Sequence, residues 1–163
     1  MDIEGTIKAR RRTFVDRGEE VSAALQQAEE RFKEAKLEEE ELTTKKLPEV
    51  LANHALGKIP SVEVTKIRQR LRLLGQVIEE HPHLKRGLES EKARVGAEGY
   101  QFTFVEQHFK KYQAVKAEIE EKGLSSDRID RLHLWAKQLS EDLDSDCLED
   151  AKMFIDTIKE KQT

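Results

Sequence analysis

The chain has 163 residues, and 29 Lys and Arg against 33 Asp and Glu leave a net charge of −4. Ala, Glu, Lys, Leu and Arg supply 83 residues, about half the chain, as in long helices and coiled coils, while Leu, Ile, Val and Phe supply 41, enough for a folded core. Three prolines and eight glycines leave little for a turn-rich β fold, no apolar run exceeds three residues, and a single cysteine excludes an intramolecular disulfide. The opening Met1-Asp2-Ile3-Glu4 has no apolar core of a signal peptide, so a cytoplasmic protein without membrane contact is expected.

Residues 1–47 read as one helix. Ile7, Phe14, Val21, Ala28, Ala35 and Leu42 recur every seventh residue, and Ile3, Leu25 and Phe32 lie beside them. That period belongs to a coiled-coil seam and not to the wider stripe of a globular helix. Asp2 is the expected N-cap, and Pro48 is expected to end the helix. Residues 48–61 hold two of the three prolines and Gly57, and predict a small cap with about two turns of helix. From residue 62 the seam resumes: Val64, Ile67, Leu71, Leu74 and Ile78, spaced 3, 4, 3, 4. It then reaches Leu88, Val95, Phe102 and Phe109, ending before Gly123, a left-handed stop. Ser125 or Ser126 caps a last helix, predicted over 125–160 with a shift of phase between Leu143 and Cys147.

Pro82 falls inside this pattern. Ile67, Leu74, His81, Leu88 and Val95 stay seven apart across it, which predicts a kinked continuous helix over 62–122 in preference to a chain reversal. Charge supports the same arrangement. With an antiparallel turn at 48–61, facing positions sum to roughly 109, so Glu38 to Glu41 face Lys66 to Arg72; the basic Lys8 to Arg17 and the acidic stretch from Glu141 likewise fall level with 92–107. The expected fold is therefore all-α: an elongated antiparallel helical hairpin or coiled coil of three long helices, the middle one kinked at Pro82, forming a single module over 1–163 with a small cap at 48–61. The aromatics Phe14, Tyr100, Phe102, Phe104, Phe109, Tyr112 and Trp135 are expected where all three helices overlap.

No catalytic, cofactor-binding or metal-binding set is expected. Glu80-x-x-His83 straddles Pro82, Asp130-x-x-His133 is the one comparable pair, and His81 and His83 read as solvated residues around the kink. His54, His108 and His133 read as isolated, and Cys147 has acidic neighbours that disfavour a thiolate. Lys8, Arg10, Arg11, Arg12 and Arg17 could contact phosphates, but on an acidic chain, with no interleaved aromatic platform, they make a poor nucleic-acid footprint. What remains is a protein–protein interaction, adaptor or assembly role, with another protein or with itself. Val50, Leu51, Leu56 and Ile59 crowd a connection that four or five residues could close, so they either seal the end of the coil or dock a partner.

Overall fold

The computed structural model describes residues 2–162, which are helical almost throughout, with no strand among them. Helix α1 (Ile3–Glu41) leads through a π-helical turn (Leu42–Lys46) directly into α2 (Leu47–Ala55); α3 (Ser61–Lys122), α4 (Ser126–Leu143) and α5 (Cys147–Gln162) follow. Asp2 caps α1 as expected, its carboxylate accepting from the Gly5 N–H at 2.8 Å.

Two sequence expectations need correction. Pro48 does not end the first helix. In an ordinary α-helix its ring would press on the carbonyl of Thr44 and leave that group without a donor. The wider π turn, in which the Leu47 N–H reaches back to the Leu42 carbonyl, relaxes this conflict, and Pro48 then occupies the first turn of α2. The helix stops instead at Gly57, whose φ of 70° is left-handed. Its N–H donates to the His54 carbonyl and that of Lys58 to Asn53, the paired bonds of a glycine-terminated helix end.

The C-terminal segment, in turn, is two helices and not one. Helix α4 ends on Asp144, at φ 50° and ψ 49°, a left-handed conformation that L side chains rarely adopt. The N–H groups of Asp144 and Ser145 both donate to the Ser140 carbonyl. Asp146 then caps α5, accepting from the Glu149 N–H at 3.1 Å. The change of phase between Leu143 and Cys147 is thus a break in the chain direction, and α4 and α5 pack on each other.

Helix α3 runs through Pro82 without interruption. At its far end Gly123 (φ 79°) donates to the Ile119 carbonyl, and the Ser125 hydroxyl accepts from the Arg128 N–H.

The packing forms two compact units: residues 1–16 with 95–163, and residues 17–94. In the first, four helices supply one core. Ile3 and Ile7 of α1, Phe102, Tyr112, Val115 and Ile119 of α3, Leu132, Ala136, Leu139 and Leu143 of α4, and Cys147, Ala151, Ile155 and Ile158 of α5 are all buried. In the second, the seam is narrower. Ala35, Leu42 and Leu74 are its buried centre, with Ile67, Leu71 and Ile78 packed against them. Partner residue numbers rise along α3 as they fall along α1: Glu38 meets Arg70, Glu29 meets Lys85, and Arg17 meets Glu91.

The expected aromatic cluster is only partly present. Phe14 and Phe102 pack at 5.4 Å, and Tyr112 is fully buried, but Tyr100 and Phe104 face outward, with Tyr100 67% exposed. Two residues on either side of Phe102 lie about 200° around the helix from it, on its outer face.

Asp144→Gly is expected to stabilise the protein by about 0.5–1 kcal/mol, because glycine adopts the left-handed region without the Cβ clash. Chemical denaturation of the variant beside the parent checks this.

Candidate functional site

Two segments bear on function. The first is the α2 end of the second unit. No residue of α2 is buried. Leu56 is 68% exposed, Leu51 and Val62 are also exposed, and Val50 and Ile59 are half-buried. The His54 ring nitrogen Nδ1 lies 3.1 Å from the Ile59 carbonyl and ties the turn back onto α2. Lys45, Lys46 and Lys58 surround these residues in sequence and are exposed, with Lys46 3.7 Å from Glu41. The structure therefore presents the predicted apolar residues at the surface of this turn.

The second is the basic stretch of α1, whose members are drawn into the fold individually. Lys8 pairs with Glu4 at 2.6 Å. Arg10 donates to the carbonyls of Asp142 (3.3 Å) and Leu143 (2.8 Å), supplying donors to the last turn of α4. Arg11 is the most committed: it grips both carboxylate oxygens of Glu106, donates to the Gly99 carbonyl at 3.3 Å, and lies 5.5 Å from the Phe102 ring centre. Arg12 is exposed beside Asp16 at 3.8 Å, and Arg17 contacts Glu91 at 3.2 Å. Hydrogen bonding from Arg11 holds the Glu106 carboxyl below its ordinary range, although partial burial pushes the other way.

Two histidines sit differently from the sequence expectation, and two buried groups acquire shifted titration. His81 is buried, not solvated: it faces the seam, its ring stacks on Phe32 at 4.1 Å, and its Nε2 is 3.6 Å from a Glu29 oxygen that Lys85 holds at 2.6 Å. The sevenfold spacing from Ile67 and Leu74 already put it there. His108 is not isolated. Its Nδ1 lies 2.8 Å from Asp142, and its ring stacks on Trp135 at 5.6 Å. Tyr112 is buried with its hydroxyl donating to Asp150 at 2.8 Å; burial first, and then the carboxylate, push the phenol well above its ordinary value. Cys147 is fully buried, and that burial raises its thiol pKa, the reverse of what a nucleophile needs. His83 and His133 are exposed on helix surfaces. No three of the described His, Cys, Asp and Glu side chains are grouped so as to hold a metal ion. No helix among the described residues is long and apolar enough to cross a membrane.

Comparison with family models, with curated proteins and with solved structures gives no match.

The Arg11–Glu106 pair gives a pH signature. Because the folded state lowers the Glu106 pKa, the pair's contribution is complete above the unfolded value of about 4.3 and is lost as pH falls through the lower folded value. Glu106→Gln is expected to cost about 1–2 kcal/mol near neutrality. Its deficit relative to the parent should shrink as pH is taken below about 4.3. Urea midpoints of both proteins across that range measure it.

Proposed function

We propose that this chain is a cytoplasmic, non-enzymatic protein–protein interaction module. In this reading α1 and α3 form an antiparallel coiled coil, α3 bends at Pro82, and the turn around α2 docks another protein. The observation that carries it is the exposure of Leu51 in the nine-residue α2, which buries nothing, together with exposed Leu56 in the turn after it and Val62 at the start of α3, while Val50 and Ile59 are half-covered. A helix rich in apolar side chains but without a core of its own gains most by being covered. The lysines around it favour a partner with an apolar anchor and an acidic rim.

The engaged state of the basic α1 residues supports this reading over nucleic-acid binding. Arg10 and Arg11 would have to give up carbonyl and carboxylate partners to reach phosphates, and Arg17 already contacts Glu91. A residual phosphate footprint would rest on Lys8 and Arg12, which are exposed beside carboxylates.

A photo-crosslinking residue at position 56 is expected to capture a discrete protein in the native host, and the adduct should vanish with Leu51→Asp. The same probe at the exposed Lys92 should capture nothing. Equal capture from both positions, or a nucleic-acid gel shift abolished by Arg10/Arg11/Arg12→Glu, would contradict the proposal.

A further inference from the structure

The π turn between α1 and α2 does more than accommodate a proline. The seam advances by sevens through Ala28, Ala35 and Leu42, and all three are buried. In an uninterrupted α-helix the next inward positions lie three or four residues beyond Leu42, and then seven: Lys45 or Lys46, and Glu49. All three of these are exposed. The half-covered positions are instead Leu47 and Val50. They follow Leu42 by five and eight residues, each one more than the four and seven of a continuous helical face. One residue corresponds to about 100° of rotation. The bond from the Leu47 N–H to the Leu42 carbonyl takes up that one extra residue.

We propose that the π turn is a one-residue phase insertion demanded by the seam, a device that aims α2 with Leu47 and Val50 inward and Leu51 outward. Pro48 alone does not account for this. Its conflict is with one carbonyl, that of Thr44, and any local widening relieves it without choosing which side of α2 is covered. The side that is covered is apolar, and the side that is kept out carries two lysines and a glutamate, whose burial would cost their hydration. Val64 adds to the demand. It is buried, and the register set by Glu38 and Arg70 places it level with the π turn, where a charged neighbour would be a poor cover. The inference concerns how α2 is turned and not what it binds, so it and the docking proposal can fail separately.

Thiol alkylation of the full chain reads the phase directly. Among Lys46→Cys, Leu47→Cys and Glu49→Cys, the thiol at position 47 is expected to react several-fold more slowly than the other two. Cys147 is buried, and the parent chain serves as its control. The same order is expected when Pro48→Ala is added, because the demand of the seam outlasts the proline ring. Deleting Thr44 from Pro48→Ala then removes the extra residue, and a plain α-helix carries Leu47 and Val50 four and seven positions beyond Leu42. That shortened chain should keep the order of protection and unfold at a urea midpoint equal to or above that of Pro48→Ala. An order that inverts in Pro48→Ala, with positions 46 and 49 protected and 47 reactive, would show that the proline alone makes the turn and would overturn the proposal. So would equal rates at all three positions, or a shortened chain that fails to fold or unfolds at a lower midpoint than Pro48→Ala.

Discussion

One constraint organises this protein: α1 and α3 must keep an apolar residue toward the same side every seven residues. A helix of ordinary pitch drifts off such a repeat by about 20° per heptad, so only continued packing against a partner holds it. Of the positions in the repeat, Ala28 and Ala35 on α1, Leu42 in the π turn, and Val64, Leu74 and Val95 on α3 are buried, while Phe14, Val21, Ile67 and Leu88 are half-buried. Even a histidine obeys it. His81 occupies the seam because its place in the repeat requires burial there, and the Phe32 ring and the Glu29–Lys85 pair make that tolerable.

The same repeat has two outcomes. In the first unit it is joined by α4 and α5, and the core widens to hold Tyr112, Phe102 and a fully buried Cys147. The polar groups brought inside are answered in place: Tyr112 by Asp150, and the end of α4 by Arg10. In the second unit the pair has only itself. Its centre is small, and apolar side chains remain exposed on α3 and at the α2 turn, the latter being the place from which partner binding is proposed.

Much of this was legible in the sequence because periodicity reports burial directly. The helical class, the passage of α3 through Pro82, the caps at Asp2 and Ser125, and the meeting of Glu38 with Arg70 all follow from spacing, cap chemistry and charge. The misreadings came where residue type was weighed above position. Tyr100 and Phe104 looked like core, yet their spacing from Phe102 turns them outward. His81 looked solvated despite its place in the repeat. Pro48 looked like a stop, and the π turn that absorbs it leaves no simple signal in composition. The carbonyl-binding role of Arg10 depends on where α4 ends, which no local pattern around Arg10 encodes. Of the candidate docking residues, the α2 set was visible as an excess of apolar side chains in a turn.

The account stands or falls on the register between α1 and α3, and the Glu38–Arg70 pair reports it most directly. Each of the two nitrogens of Arg70 lies 2.7 Å from an oxygen of Glu38. A double-mutant cycle with Glu38→Lys and Arg70→Glu, read by denaturant midpoint at low and high salt, isolates their coupling. The register predicts that each reversal lowers the midpoint, that the double reversal recovers part of the loss, and that the coupling shrinks with salt. Losses that simply add, at either salt concentration, would show that these residues do not face each other and would contradict the account.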